Sequence, residues 1–146
     1  MATVDIETAW SEAERSVYNR LLEATEAEDG NSAFLGAEPD EDVVDWWALF
    51  TGGGDSESEY NNCFSAPKMQ ARIVGEYRER ANAQRTAGRV YKLLKDSTNM
   101  KRTAGTNVEW FRMREHPQIA VLEDEDGYRW RLEIPCELVV NALATF

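Results

Sequence analysis

The chain has 146 residues, enough for one ordinary domain with a real core and no need of covalent staples. Its composition, 42% hydrophobic and 29% charged, is globular rather than disordered. A net charge of −11 argues against a nucleic-acid binder that works by neutralising phosphates, and it leaves three uses for the acidity: solubility, a surface that repels nucleic acid, or a mimic of DNA that fills a basic site on another protein.

Residues 5–26, DIETAWSEAERSVYNRLLEATE, predict an amphipathic helix, with Ile6, Trp10, Ala13, Val17 and Leu21 on one face. Thr3 or Asp5 supplies a cap, and the acids of the first turns suit the helix dipole. Residues 28–42 read as a loop by their Gly, Asn, Ser and Pro content. VVDWWALF, 43–50, is brief, β-branched and aromatic, and predicts a strand. TGGGDSESEYNNCFSAP, 51–67, has the composition of a mobile loop, with little to offset its ordering entropy.

KMQARIVGEYRER, 68–80, alternates like a strand, and ANAQRTAGRVYKLLKDS, 81–97, returns to helical spacing through Ala83, Ala87, Val90, Tyr91 and Leu94. Three further strands follow: NVEWFRMRE, HPQIAVLED and GYRWRLEIPCELVV. Glu115-His116-Pro117-Gln118 joins the first to the second. Asp124-Glu125-Asp126-Gly127, a strong hairpin signal, joins the second to the third. In the last strand Tyr128, Trp130, Leu132, Ile134 and Cys136 share one parity, while Arg129, Arg131, Glu133 and Glu137 share the other with Pro135. The apolar parity should lie on the helices.

The expected architecture is α+β, an antiparallel sheet of four to five strands closing in a meander, with two helices packed on one face. A single domain spans 1–146, with flexible loops near 28–42 and 51–67. No apolar run approaches about 18 residues and the N-terminal stretch is acidic, so neither a membrane span nor a signal peptide is expected.

Little in the chain suggests chemistry. The lone histidine, His116, precedes a proline in a turn, a poor setting for a catalyst. The acidic runs Asp40-Glu41-Asp42 and Asp124-Glu125-Asp126 lack the spacing of a calcium loop and read as solvated turns. Gly52-Gly53-Gly54 lacks the Lys-Ser/Thr and the helix of a phosphate loop. Cys63 and Cys136 have no C-x-x-C spacing and read as reduced thiols. No catalytic, cofactor or metal residue is assigned, and the chain is not expected to be an enzyme. Trp46 and Trp47 are adjacent, so on a strand they point to opposite faces. Burying both needs a second surface, from the 51–67 loop or from another chain.

The helix VDIETAWSEAERSVYNRLLEA, the strand-to-helix passage ARIVGEYRERANAQRTAGRVYKLL and the closing strands VEWFRMRE, IAVLED and YRWRLEIPCELVV together resemble the tail-terminator and tail-completion proteins of long-tailed bacteriophages. The resemblance covers most of the chain and rests on pattern rather than on an invariant motif. The acidic loops 28–42 and 51–67 depart from it. It implies a structural virion protein: a homo-oligomeric ring, commonly a hexamer, that caps the tail tube and joins it to neck and connector proteins. Its lumen would pass DNA without binding it. The runner-up is an acidic DNA mimic that inhibits a host nuclease or defence complex.

The signs of charge are unevenly spread. Most of the 27 acids lie in the first helix, the loops and the turns, while many of the 16 basic residues lie on the strands and second helix. This predicts a contact between copies in which Arg72, Arg78, Arg129 and Arg131 meet an acidic surface, while Trp46, Trp47 and Phe50 supply buried area. The bland alternative pairs these arginines with cross-strand glutamates of the same chain.

Overall fold

Ala13, Val17, Tyr18 and Leu21 make the buried stripe of the first helix, α1 (Ile6–Thr25), at the spacing that the sequence predicts. The structure is a computed structural model and describes residues 6–40, 42–52, 68–95, 108–124 and 127–140. After α1 come β1 (Ala33–Leu35), β2 (Trp46–Thr51), β3 (Lys68–Tyr77), α2 (Arg80–Lys95), β4 (Val108–Met113), β5 (Gln118–Asp124) and β6 (Gly127–Val140). The chain is α+β, as expected, with six strands in one mostly antiparallel sheet.

The strand order is β1-β2-β3-β6-β4, with β5 also on β6. The added strand is β1, three residues inside the segment read as a loop, and it pairs with β2 in parallel. Three residues are too few for a period-2 pattern to register. Asp45 enters β2 with φ of 59°, a left-handed conformation that Asp tolerates, and its carboxylate accepts the Arg78 backbone N–H at 3.1 Å. β2 is thereby tied to the far end of β3.

The closing strands are not a meander. β4 lies antiparallel to β6 beside Cys136–Val140, and β5 lies antiparallel to it beside Gly127–Glu133. The other edge of β6 is occupied by β3, so β4 and β5 run in the same direction along one edge. Residues 114–117 are therefore no hairpin turn. Met113 pairs Cys136 and Gln118 pairs Glu133, so four residues oppose two, and the Arg114 N–H donates to the Pro135 carbonyl at 2.8 Å. This is a bulge in one long edge strand. Pro117 is tolerated there because an edge strand has a side on which no ladder N–H is needed.

Both helices cover one face. Beneath them lie Ala71, Ile73 and Tyr77 of β3, Phe111 of β4, and Leu132, Ile134, Cys136, Leu138 and Val140 of β6. From α2 come Ala83, Ala87, Val90 and Leu94, whereas Tyr91, expected on that stripe, is exposed. Trp10 is likewise exposed rather than buried. The apolar parity of β6 does face the helices from Leu132 onward. Trp130 is only half-buried, and Tyr128 stands outside the core.

The adjacent tryptophans are both buried, at 3% exposure each, on opposite faces. Trp47 lies under α1, with its ring 5.6 Å from Tyr18, and its indole N–H donates to Thr25 Oγ1 at 3.1 Å. Trp46 joins Ala48 and Val74 in a smaller cluster on the other face, covered by Phe34, Val43 and Phe50. The second surface that two tryptophans require comes from β1 and the residues before β2. The 51–67 loop lies outside the described residues from Gly53 on, and Cys63, Glu41, Glu125 and Asp126 are outside them too.

Candidate functional site

The face away from the helices carries the charged parity of β6. The register sets Glu76 of β3 directly across from Arg131. Its carboxylate lies 3.1 Å from the Arg131 guanidinium and 3.6 Å from that of Arg129. Arg131 also reaches Glu38 at 3.3 Å and Glu133 at 3.2 Å. Burial disfavours the Arg131 charge, but Glu133 and Glu38 more than offset it and hold the guanidinium above its ordinary pKa. Arg129 and Arg131 thus have carboxylate partners within the chain. These are the same-chain pairs with glutamates that the sequence offers as the alternative to a contact between copies.

Phe50 and Arg72 are paired across β2 and β3, and the guanidinium sits 4.9 Å from the ring centroid. Both line a groove of about 400 Å³ with Arg114, Glu133 and Pro135. Of the residues expected at a subunit contact, this face brings together Phe50, Arg72, Arg129 and Arg131. Trp46 and Trp47 are interior side chains with no surface to offer, because the sheet buries one on each side. Farther along, Arg112 and the buried carboxylate of Glu137 meet at 2.5 Å.

His116 is exposed in the bulge. Cys136 lies fully in the core, where burial, with the neighbouring Glu137, pushes its thiol pKa up and leaves it unreactive. Among the described residues no three His, Cys, Asp or Glu side chains are grouped to hold a metal ion, and no described helix is long and apolar enough to cross a membrane.

One feature of the surface is not among the expected site residues. Val121, Leu122 and Tyr128 are 47%, 38% and 65% exposed near the end of the β5–β6 hairpin. The signal was Ile119-Ala120-Val121-Leu122, apolar on both parities in a strand with only one core to face. No protein-family model matches the chain, and no curated protein is similar to it.

Proposed function

We propose that the chain is a structural subunit that works by assembly, forming a ring that caps a phage tail tube or joins tail to head. The carrying observation is where its exposed apolar side chains lie. Among the described residues, three of the five large ones, Val121, Leu122 and Tyr128, lie on the β5–β6 hairpin, a placement suited to contact with another protein rather than to enclosing a small molecule. The one-sided helix layer and the strand-to-helix passage from β3 into α2 agree with the resemblance seen in the sequence. A lumen lined by some of the chain's 27 acids would let DNA pass without binding it.

An acidic DNA mimic draws less support. Such a mimic needs unpaired carboxylates in rows, and on the open sheet face Glu38, Glu76 and Glu133 are engaged by arginines. Sedimentation of the purified protein, with negative-stain images, tests the assembly reading. The expected outcome is closed rings of a fixed number of copies. A protein that stays a monomer at high concentration and binds a basic nuclease instead would establish the mimic.

A further inference from the structure

Val121 and Leu122 are adjacent on β5 and both exposed, and they point to opposite faces of the sheet, so no cover on a single face takes both. What they share is an edge. β5 pairs with β6 on one side, and among the described residues no strand lies on its other side. Among those residues its outward N–H and C=O groups also make no backbone hydrogen bond to a turn or loop. Gly52, Lys68, Val108 and Val140, where described stretches begin or end, lie by the Cys136–Val140 half of β6, whereas β5 lies beside Gly127–Glu133.

Natural sheets blunt such an edge with a very short strand, a lysine, a proline or a bulge. β5 has seven residues, Gln118 to Asp124, and none of these devices. Its register against β6 is unbroken, and Pro117 and the bulge stand just before it. Val121 is its central residue, flanked by Ala120 and Leu122, and its acids are confined to the last two positions. Such a strand matches itself. A second β5, turned antiparallel about Val121, sets Val121 across from Val121, Ala120 from Leu122, Ile119 from Glu123 and Gln118 from Asp124. All seven residues then pair, and no charge faces its like. Any other register leaves part of one strand beside the bulge or the turn of the other.

We infer that the β5 edge pairs antiparallel with β5 of a second copy of this chain, across a two-fold axis at Val121. On the face that carries the helices, Tyr77 pairs with Trp130 and Trp130 with Val121. The contact continues this row through Val121 into the same row of the second copy, which covers Val121 on the side now open. On the other face Ala120 and Leu122 cover each other next to Arg131 and Arg129, whose glutamates stay engaged. The self-matching register is what selects a second copy over a strand from an unrelated protein. A two-fold contact joins copies, or whole rings, in pairs and does not itself close a ring, so this inference goes beyond the assembly reading.

Charge exchange at the axis tests it. Val121 is exposed, so Val121→Lys and Val121→Glu should each stay close to the wild-type urea midpoint. Each variant sets like charges directly opposite and should weaken pairing in sedimentation by about tenfold or more. Mixing the two should restore it, because lysine then faces glutamate. In the wild type, the outward amide protons of β5 should exchange more slowly as protein concentration rises, and in either variant alone they should not. Pairing that survives both variants, a mixture that fails to recover it, or β5 exchange that ignores concentration would overturn this contact, and rings seen alongside any of these results would leave the assembly reading standing. A wild-type chain that is monomeric throughout would overturn both.

Discussion

Glu76 lies directly across the sheet from Arg131 and holds both that guanidinium and its neighbour Arg129. The pair is only partly exposed, with side chains at 19% and 25%, so it should contribute more than a fully solvated ion pair. A double-mutant cycle with Glu76→Ala and Arg131→Ala should give a coupling of about 1 kcal/mol that shrinks as salt is added. Coupling indistinguishable from zero at low salt would mean that the pair is not formed in solution.

Gly75 sits in the middle of β3, where a Cβ would come within 2.7 Å of the Trp46 carbonyl and 2.8 Å of the Tyr77 ring. The carbonyl belongs to a strand fixed by its own ladder and cannot move aside cheaply. Gly75→Ala should cost about 1–3 kcal/mol despite its better strand propensity, read as a lowered urea midpoint. A neutral outcome would place β2 farther from β3 at this point.

Ile134 and Tyr128 share a parity on β6 but not a fate. Ile134→Ala should cost about 2–5 kcal/mol, because its side chain is fully buried beneath the helices. Tyr128→Ala should change monomer stability by no more than about 0.5 kcal/mol. Equal losses in denaturant would show that the hairpin end is covered within the monomer.

Tyr77 carries a buried hydroxyl with no well-formed hydrogen bond among the described residues. Burial raises its pKa to about 12, with Thr86 near enough to moderate the shift and Asp45 adding to it. Since an unfolded tyrosine ionises near pH 10, the unfolded chain loses its proton first. Stability should be level below pH 10 and fall by about 1–3 kcal/mol between pH 10 and 12. Tyr77→Phe should remove this part of the alkaline loss and raise stability at neutral pH by about 1 kcal/mol. A phenylalanine variant less stable than wild type would reveal a hydrogen bond to the hydroxyl.

Most of the architecture could be read in the residues. Ala13, Val17 and Leu21, or Ala83, Ala87, Val90 and Leu94, bury one helical face because a 3.6-residue period leaves few other uses for them. The alternation from Leu132 to Cys136 likewise fixed which side of β6 meets the helices. What could not be read is set by pairing at a distance. Whether residues 114–117 turn back or bulge depends on which stretch of β6 lies beside β4, and no local pattern carries that. Local spacing also could not show that Phe34 and Val43 would cap Trp46, or that Glu38 would reach Arg131 from outside the strands. The candidate surface was less legible. Arginines on a strand look available for a partner until the register shows the glutamate opposite.

β6 is bordered by β3 on one side and by β4 and β5 on the other. Its partners in β3 lie more than fifty residues earlier in the chain. During synthesis, the first 126 residues can form two helices and the β1–β2–β3 ribbon, but nothing yet joins that ribbon to β4 and β5. The sheet can close only after Val140 has left the ribosome. Until then Ile73, Phe111 and the buried stripes of both helices lack their main apolar partner, so folding should wait for β6 and be slow to nucleate. The growing chain would depend on chaperones or on its own repelling carboxylates to stay dispersed while it waits for the last strand.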